Sequence, residues 1–466
     1  MLPARIAVRF APFAVVMAVP AGRGVGPLGC CGTMVVTDMV AAREWLAGNR
    51  VLIWLVAGIG GLVIHVLLWQ VSEPSALFSD FYKANWQAAE TLWEYGLGAI
   101  WPLSEKGGFS NLPVIGWLYV PLVVFGEENA GWAFWVIGIA ALSAAWALLT
   151  RLARLAAPLA AALMFLFFIN GPVVNSLREG QTSHFILLLL VVALLLWQAK
   201  REYAAGVVLG FCAMIKLPLL LLGLYFLLKQ RWRIVAGGAT AIGVIVMLSL
   251  ALFGLSGNIG WYQEWVAPYL GHAIPAFNVQ SIDGFLVRLE WGETYLRYWD
   301  PPIVPSLFHV IARSCAFAAL FGGTFWLIRR ADKIARPGAS TGGPSPRDLL
   351  EFVLVLNLAL ITSPISWTHY YCMLLLPCAL YLGGQLPLPD DATTRALMRI
   401  GAILVSVPIV MWAGEEMSLA NAVLARTVVS VWLFGGLLMF AALARGLWRI
   451  QAGMTPSPAP LRMAQP

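Results

Sequence analysis

Charge is what this sequence has least of. Asp, Glu, Lys and Arg make up 11% of its 466 residues and 60% are hydrophobic, with a mean hydropathy of +0.79. Soluble domains run near about 25% charged and about 45–50% apolar, so a water-soluble globule is excluded. Cysteine is scarce too. Of six, Cys30 and Cys31 are adjacent near the start, and Cys212, Cys315, Cys372 and Cys378 lie inside apolar segments, which rules out a disulfide framework and a C-x-x-C metal pattern. There is no Walker A loop, no G-x-S-x-G elbow and no H-E-x-x-H, so nucleotide hydrolysis, serine hydrolase chemistry and zinc proteolysis have no support. Asp390-Asp391 is the one carboxylate pair on a loop suited to a metal, and it stands far from every other candidate. The reading is free of metal and cofactor.

What is present is apolar length. Runs able to cross about 30 Å of hydrocarbon occur at 51–70, 131–150, 157–173, 184–198, 234–253, 306–328, 349–363, 370–386, 397–413 and 421–443. The net charge of +7 is not a nucleic-acid footprint. Its basic residues cluster at the ends of these runs, as loop charges do when they set orientation in a bilayer. The segment 204–228 is apolar throughout, yet Lys200 and Arg201 precede it and Lys229, Arg231 and Arg233 follow. If basic residues mark the cytoplasm, it must enter and return, as two short helices that break near Lys216-Leu217-Pro218. The expectation is an all-α polytopic membrane protein of about 12 transmembrane helices with both ends inside. Its domain is expected over 50–450, with outer loops at 71–130, 174–183 and 254–305. Residues 1–49 and 451–466 read as cytoplasmic tails, the first opening with a signal-like apolar run too short to span. The stretch 112–126 reads as interfacial or re-entrant.

Four polar groups then fall at one face of the membrane. Asp80 begins LFSDFYKANWQAAETLWEYG, an interfacial helix in the first outer loop, whose spacing puts Ala84, Ala88, Leu92 and Tyr95 on one face. Its plainer reading is a solvated loop acid. The turn NSLREGQTSH carries Arg178, Glu179, Gln181 and His184 where a helix begins; Gln181 is a candidate substrate ligand, and capping explains the turn equally. Lys216 stands alone among apolar residues. An ammonium at a helix centre costs roughly 2.5–3.5 kcal/mol on insertion scales, so it either snorkels or binds a lipid phosphate at the interface. The fourth group pairs SPISWTHYY, with His369 among interfacial aromatics, with AFNVQSIDGFLVRL. There Asn278, Gln280 and Ser281 suit a sugar and Arg288 suits a phosphate; the alternative is that they cap an interfacial helix and His369 is structural.

Five segments in order, SDFYKANWQAAETLWEYG, REGQTSHFILLLL, AAGVVLGFCAMIKLPLLLLGLYFLLKQRWR, NVQSIDGFLVRL and SPISWTHYYCMLLLP, resemble the bacterial polyprenol-phosphate-mannose-dependent mannosyltransferases of glycosyltransferase family 87, which have the GT-C membrane fold. Two departures touch donor or acceptor detail: NLPVIGWLYVPL stands where the family commonly has Tyr-x-Pro-Pro, and Thr182-Ser183-His184 follows Gly-Gln where it often has Asn. The resemblance implies inverting transfer of a hexose, most often mannose, from a polyprenyl phosphate to a glycan or glycolipid hydroxyl on the outer side of the cytoplasmic membrane. Asp80 would be the general base, and Lys216, Arg288 and His369 would meet the leaving phosphate. Rival readings are a flippase of lipid-linked saccharides, or a relative that uses arabinose or glucose.

Overall fold

The computed structural model describes residues 77–96, 109–299, 303–334, 343–407 and 418–451, all within the compact unit Val51–Pro466. The expected tail 1–49, the span 51–70 and residues 452–466 of the expected C-terminal tail lie outside the described residues. Those described are helical, with isolated bridges only at Ala273–Ile303 and Val279–Trp367. Four helices are individually long and apolar enough to cross a bilayer: Glu127–Leu152, Trp232–Tyr269, Leu307–Arg330 and Leu419–Ile450. Ala157–Ile169 and Gly171–Arg178 form a fifth candidate bent by 50° at Asn170. The bend follows from Asn170 capping the second helix, its Oδ1 accepting from Val173 N at 3.0 Å, just ahead of Pro172. The expected runs 184–198, 204–228 and 370–386 are shorter helices. The long helix from Trp232 breaks at Gly254, whose φ of 68° is left-handed, so the run 234–253 ends there.

The helix Pro346–Thr362 is buried from Asp348 to Thr362 and runs through the middle of the bundle. A capping box between Ser345 and Asp348 starts it. One turn in, the fully buried Glu351 carboxylate meets Arg347 Nε at 2.7 Å, Lys229 Nζ at 3.0 Å and the Tyr225 hydroxyl at 3.1 Å. Close by, Arg231 pairs with Glu202 at 3.4 Å and Asp348 at 3.7 Å. These contacts show how 204–228 is folded. Glu202 opens the helix Glu202–Ile215, and Arg231 follows the helix Leu220–Leu228; their contact puts both ends of the segment at one level. The chain therefore enters the bundle, turns, and returns. Between the helices Lys216 has φ −130° and ψ 89°, and Pro218 begins a 3-10 turn. With 14 residues rising about 1.5 Å each, the tip lies about 20 Å from the basic end.

Without a hydrophobic drive between helices in lipid, close backbone approach must hold them. Gly206 and Gly210 on Glu202–Ile215 lie directly against the long helix: a methyl on Gly206 would fall on the Ile234 carbonyl oxygen, and one on Gly237 on that of Tyr203. We therefore expect Gly237→Val to abolish monodisperse protein in detergent gel filtration. Gly243→Val, in the same helix with nothing within 4 Å, is expected to leave the elution profile unchanged.

Candidate functional site

The first described segment docks onto the turn after Arg178 through its backbone. Phe78 N donates to Arg178 O at 2.7 Å and Phe81 N to Glu179 O at 3.1 Å. The Ser79 hydroxyl donates to Glu179 Oε2 at 2.6 Å, and Arg178 pairs with Glu179 at 3.1 Å. The receiving turn is a Schellman cap: Gly180 has φ 68°, and Gln181 N reaches back to Ser176 O at 2.8 Å. Glycine is needed twice over there, because a Cβ would also lie only 2.5 Å from Phe81 Cβ. The docked segment starts as a π-helical turn, Phe81–Trp86, before the helix Gln87–Tyr95. Of the face that helical spacing implies, Ala88 and Leu92 are buried and Ala84 is partly buried. Phe81, Asn85, Trp86, Ala88, Ala89 and Leu92 are buried, whereas Tyr95 is 76% exposed.

This docking brings Asp80 to Gln181. Gln181 Nε2 donates to Asp80 Oδ2 at 2.7 Å, while its Oε1 accepts from Lys216 Nζ at 3.4 Å. Lys216, 6% exposed, also lies over the Tyr370 ring, 4.4 Å from its centroid. Among the described residues no carboxylate forms an ion pair with it. The partly buried carboxylate and the buried ammonium are thus one amide apart, and two of the ammonium hydrogens remain for a ligand. His369 is buried beside Tyr370, their rings 5.1 Å apart, with Nε2 unpartnered among the described residues. His184 itself is buried, its Nδ1 2.9 Å from Ser176 Oγ.

The loop 276–289 supports this cluster from behind. Gln280 N donates to Ser366 O at 2.6 Å, Thr368 N to Asn278 O at 2.8 Å, and the Tyr371 hydroxyl to Gln280 O at 2.6 Å. Four residues here have an expected ligand role, and each has protein partners; Ser281 Oγ accepts from Gly284 N at 3.0 Å, capping the following helix, and donates to Pro364 O at 3.1 Å. Gln280 is fully buried, donating to Phe277 O and Val429 O, both at 2.7 Å, and accepting from Leu433 N at 3.4 Å. Arg288 is fully buried, its guanidinium donating to Ala276 O and Val279 O at 2.9 Å and to Ser430 Oγ at 2.9 Å. Asn278 Oδ1 accepts from Trp299 Nε1 at 3.0 Å. The Arg288 guanidinium thus holds the loop through Nη1 and Ser430 through Nη2, while its buried Nε has no partner among the described residues. Two contributors went unread in the sequence. Tyr370 reads in the sequence as an interfacial aromatic, and Gly180, flanked by Glu179 and Gln181 at a helix end, carries a C-cap signal.

Glu179 ties docking to pH. Burial raises its pKa above the ordinary range, against the lowering pulls of Arg178 and Ser79. An acid with a raised folded pKa binds its proton more tightly folded than unfolded. Its contribution to stability is therefore present at low pH and falls as pH climbs from the ordinary glutamate range through the raised value. Glu179→Gln keeps an acceptor for Ser79 and removes the titration, so the thermal midpoint in detergent should lose part of its decline over that window. A curve parallel to the parent's would contradict this.

The sequence profile of glycosyltransferase family 87 matches residues 109–343, just over half the chain. Gln181 and Lys216 lie inside the match, and Asp80, His369 and Tyr370 outside it. A polyprenol-phosphate-mannose-dependent alpha-(1-2)-phosphatidylinositol mannoside mannosyltransferase of Mycobacterium tuberculosis is 24% identical over 371 residues, covering 72% of this chain and 77% of that protein. Its namesake from Mycolicibacterium smegmatis is 30% identical over 209 residues, 44% of this chain and 42% of the relative. This integral membrane protein belongs to glycosyltransferase family 87.

Proposed function

We propose that this enzyme transfers a hexose, mannose by the chemistry of its relatives' donor, from a polyprenyl phosphate to a glycolipid hydroxyl, with inversion, at the outer face of the cytoplasmic membrane. The observation that carries this reading is the Asp80–Gln181–Lys216 chain of hydrogen bonds. In a single displacement the acceptor oxygen attacks the anomeric carbon, the bond from that carbon to the phosphate oxygen breaks, and polyprenyl phosphate leaves with the electron pair. The acceptor's proton goes to Asp80, half-buried and with Oδ1 free of side-chain partners among the described residues. Negative charge grows on the leaving phosphate, where a buried ammonium with spare donors stabilises it most. His369, whose buried Nε2 has no partner among the described residues, stands beside Tyr370 in the same cluster. Base and cation stand at opposite ends of one amide, as an inverting displacement requires of groups on opposite sides of the reacting carbon.

The orientation rests on charge. Lys229, Arg231 and Arg347 mark one end of the bundle, and Lys216 lies at the other end of the returning hairpin; basic ends face the cytoplasm. The reading includes a GT-C-like arrangement of about twelve crossings. The relatives are named for a phosphatidylinositol mannoside acceptor, and an acceptor of that class is proposed here.

Membranes containing the protein, given radiolabelled polyprenyl-phosphate-mannose and phosphatidylinositol mannoside, should yield a labelled, extended glycolipid. Asp80→Asn keeps the shape but cannot take the proton, so turnover should drop by about 10²–10⁴-fold, while Glu94→Gln, on the exposed end of the same segment, leaves it unchanged. Lys216→Met should raise the donor KM. Normal turnover by Asp80→Asn would remove the proposed base, and an unlabelled lipid fraction from the parent protein would remove the proposed substrates.

A further inference from the structure

Gln181 is the one side-chain hydrogen-bond partner of Asp80 among the described residues. Its amide orientation is dictated by its neighbours. Lys216 can only donate and an ionised Asp80 can only accept, so Oε1 must face the ammonium and Nε2 the carboxylate. The amide dipole is then aligned between opposite charges, each bond strengthening the other. Its backbone is pinned as well: Gln181 N donates to Ser176 O at 2.8 Å, and Gly180 holds the left-handed conformation that ends the preceding helix. The charged groups that interact with Asp80 are Glu179 on the receiving turn and Lys216 at the hairpin tip; Arg178 and Lys83 act on Glu179.

From this geometry we infer that Gln181 is a positioning residue rather than a sugar ligand: it aims the Asp80 carboxylate at the acceptor and couples that aim to the Lys216 ammonium that receives the phosphate. One bond occupies Oδ2 and leaves Oδ1 for the acceptor hydroxyl. The other ties base and cation, so that the same side chain sets the distance between the attacking and leaving sides of the reaction. This rests on the roles proposed above for Asp80 and Lys216.

The test uses the full-length protein in detergent with radiolabelled polyprenyl-phosphate-mannose and phosphatidylinositol mannoside. Gln181→Met preserves length and removes both hydrogen bonds. Gln181→Glu keeps an acceptor for Lys216 but has no donor for Asp80. Both should lower kcat, by about 10²-fold as expected of a misaimed reacting group, with the donor and acceptor KM little changed. The loss should nearly vanish when Gln181→Met is placed in the Asp80→Asn background, because there is no longer a base to aim. A raised KM at parent kcat would make Gln181 a substrate ligand and overturn the inference. So would a full, additive loss in the Asp80→Asn background, or failure of both variants to give folded protein, since either marks a purely structural side chain. If Asp80→Asn itself turns over normally, the base assignment fails first. If Asp80→Asn is inactive while Gln181→Met and Gln181→Glu match the parent, only the positioning role falls.

Discussion

A single buried ammonium governs this architecture. Lys216 interrupts an apolar hairpin, and a charge in that setting is tolerated only where something polar waits for it. Three unrelated parts of the chain supply the surroundings: the turn after Arg178 provides Gln181, the segment following the central helix provides the face of Tyr370, and the first docked loop provides Asp80 beyond the amide. None of them pairs the ammonium outright. It is held in place and left with donors to spare, which suits a residue that meets an anionic ligand better than one whose work is to lock the fold.

The two ends of the hairpin treat charge in opposite ways. At the basic end Glu351 accepts from Arg347, Lys229 and Tyr225, while Arg231 spans Glu202 and Asp348. Those cations are consumed, and a buried carboxylate with several donors is rigid because removing any one leaves charge uncompensated. At the tip the ratio is reversed. One cation faces an amide and a ring, and the nearest acid is one side chain further on. The bundle is fastened at one end and kept chemically open at the other.

Behind the open end stands a layer of polar groups that touch only protein. Arg288 gathers the carbonyls of Ala276 and Val279, Gln280 bridges Phe277, Val429 and Leu433, and the pairing of 278–280 with 366–368 fixes the chain just ahead of His369 and Tyr370. The chemistry proposed for the cluster needs this kind of backing, since side chains on unsupported loops lose the alignment that a displacement demands.

Much of this is legible before any coordinates. Composition requires a membrane protein, because too few charged residues exist to cover a globule. The basic residues around 204–228 together with Pro218 require a returning hairpin that breaks at Lys216, and an aspartate in the first outer loop makes Asp80 a candidate. These follow from local rules: hydrocarbon thickness, proline sterics and the cost of an unpaired charge. Partner choice does not follow from local rules. Gln181 and Gln280 are the same residue type in similar polar surroundings, yet one lies between a carboxylate and an ammonium and the other is spent on backbone carbonyls. Arg288 looks as fit for phosphate as Lys216 until the loop closes around its guanidinium. The segment after Asp80 keeps Ala88 and Leu92 inward as regular periodicity implies, but leaves Tyr95 exposed and buries Phe81 and Trp86 as well. The partners come from as near as Val279 for Arg288 and from as far as Leu433 for Gln280, and a polar side chain's partner is settled by which donors and acceptors the packed bundle brings within about 3 Å, a distance that no spacing in the chain encodes.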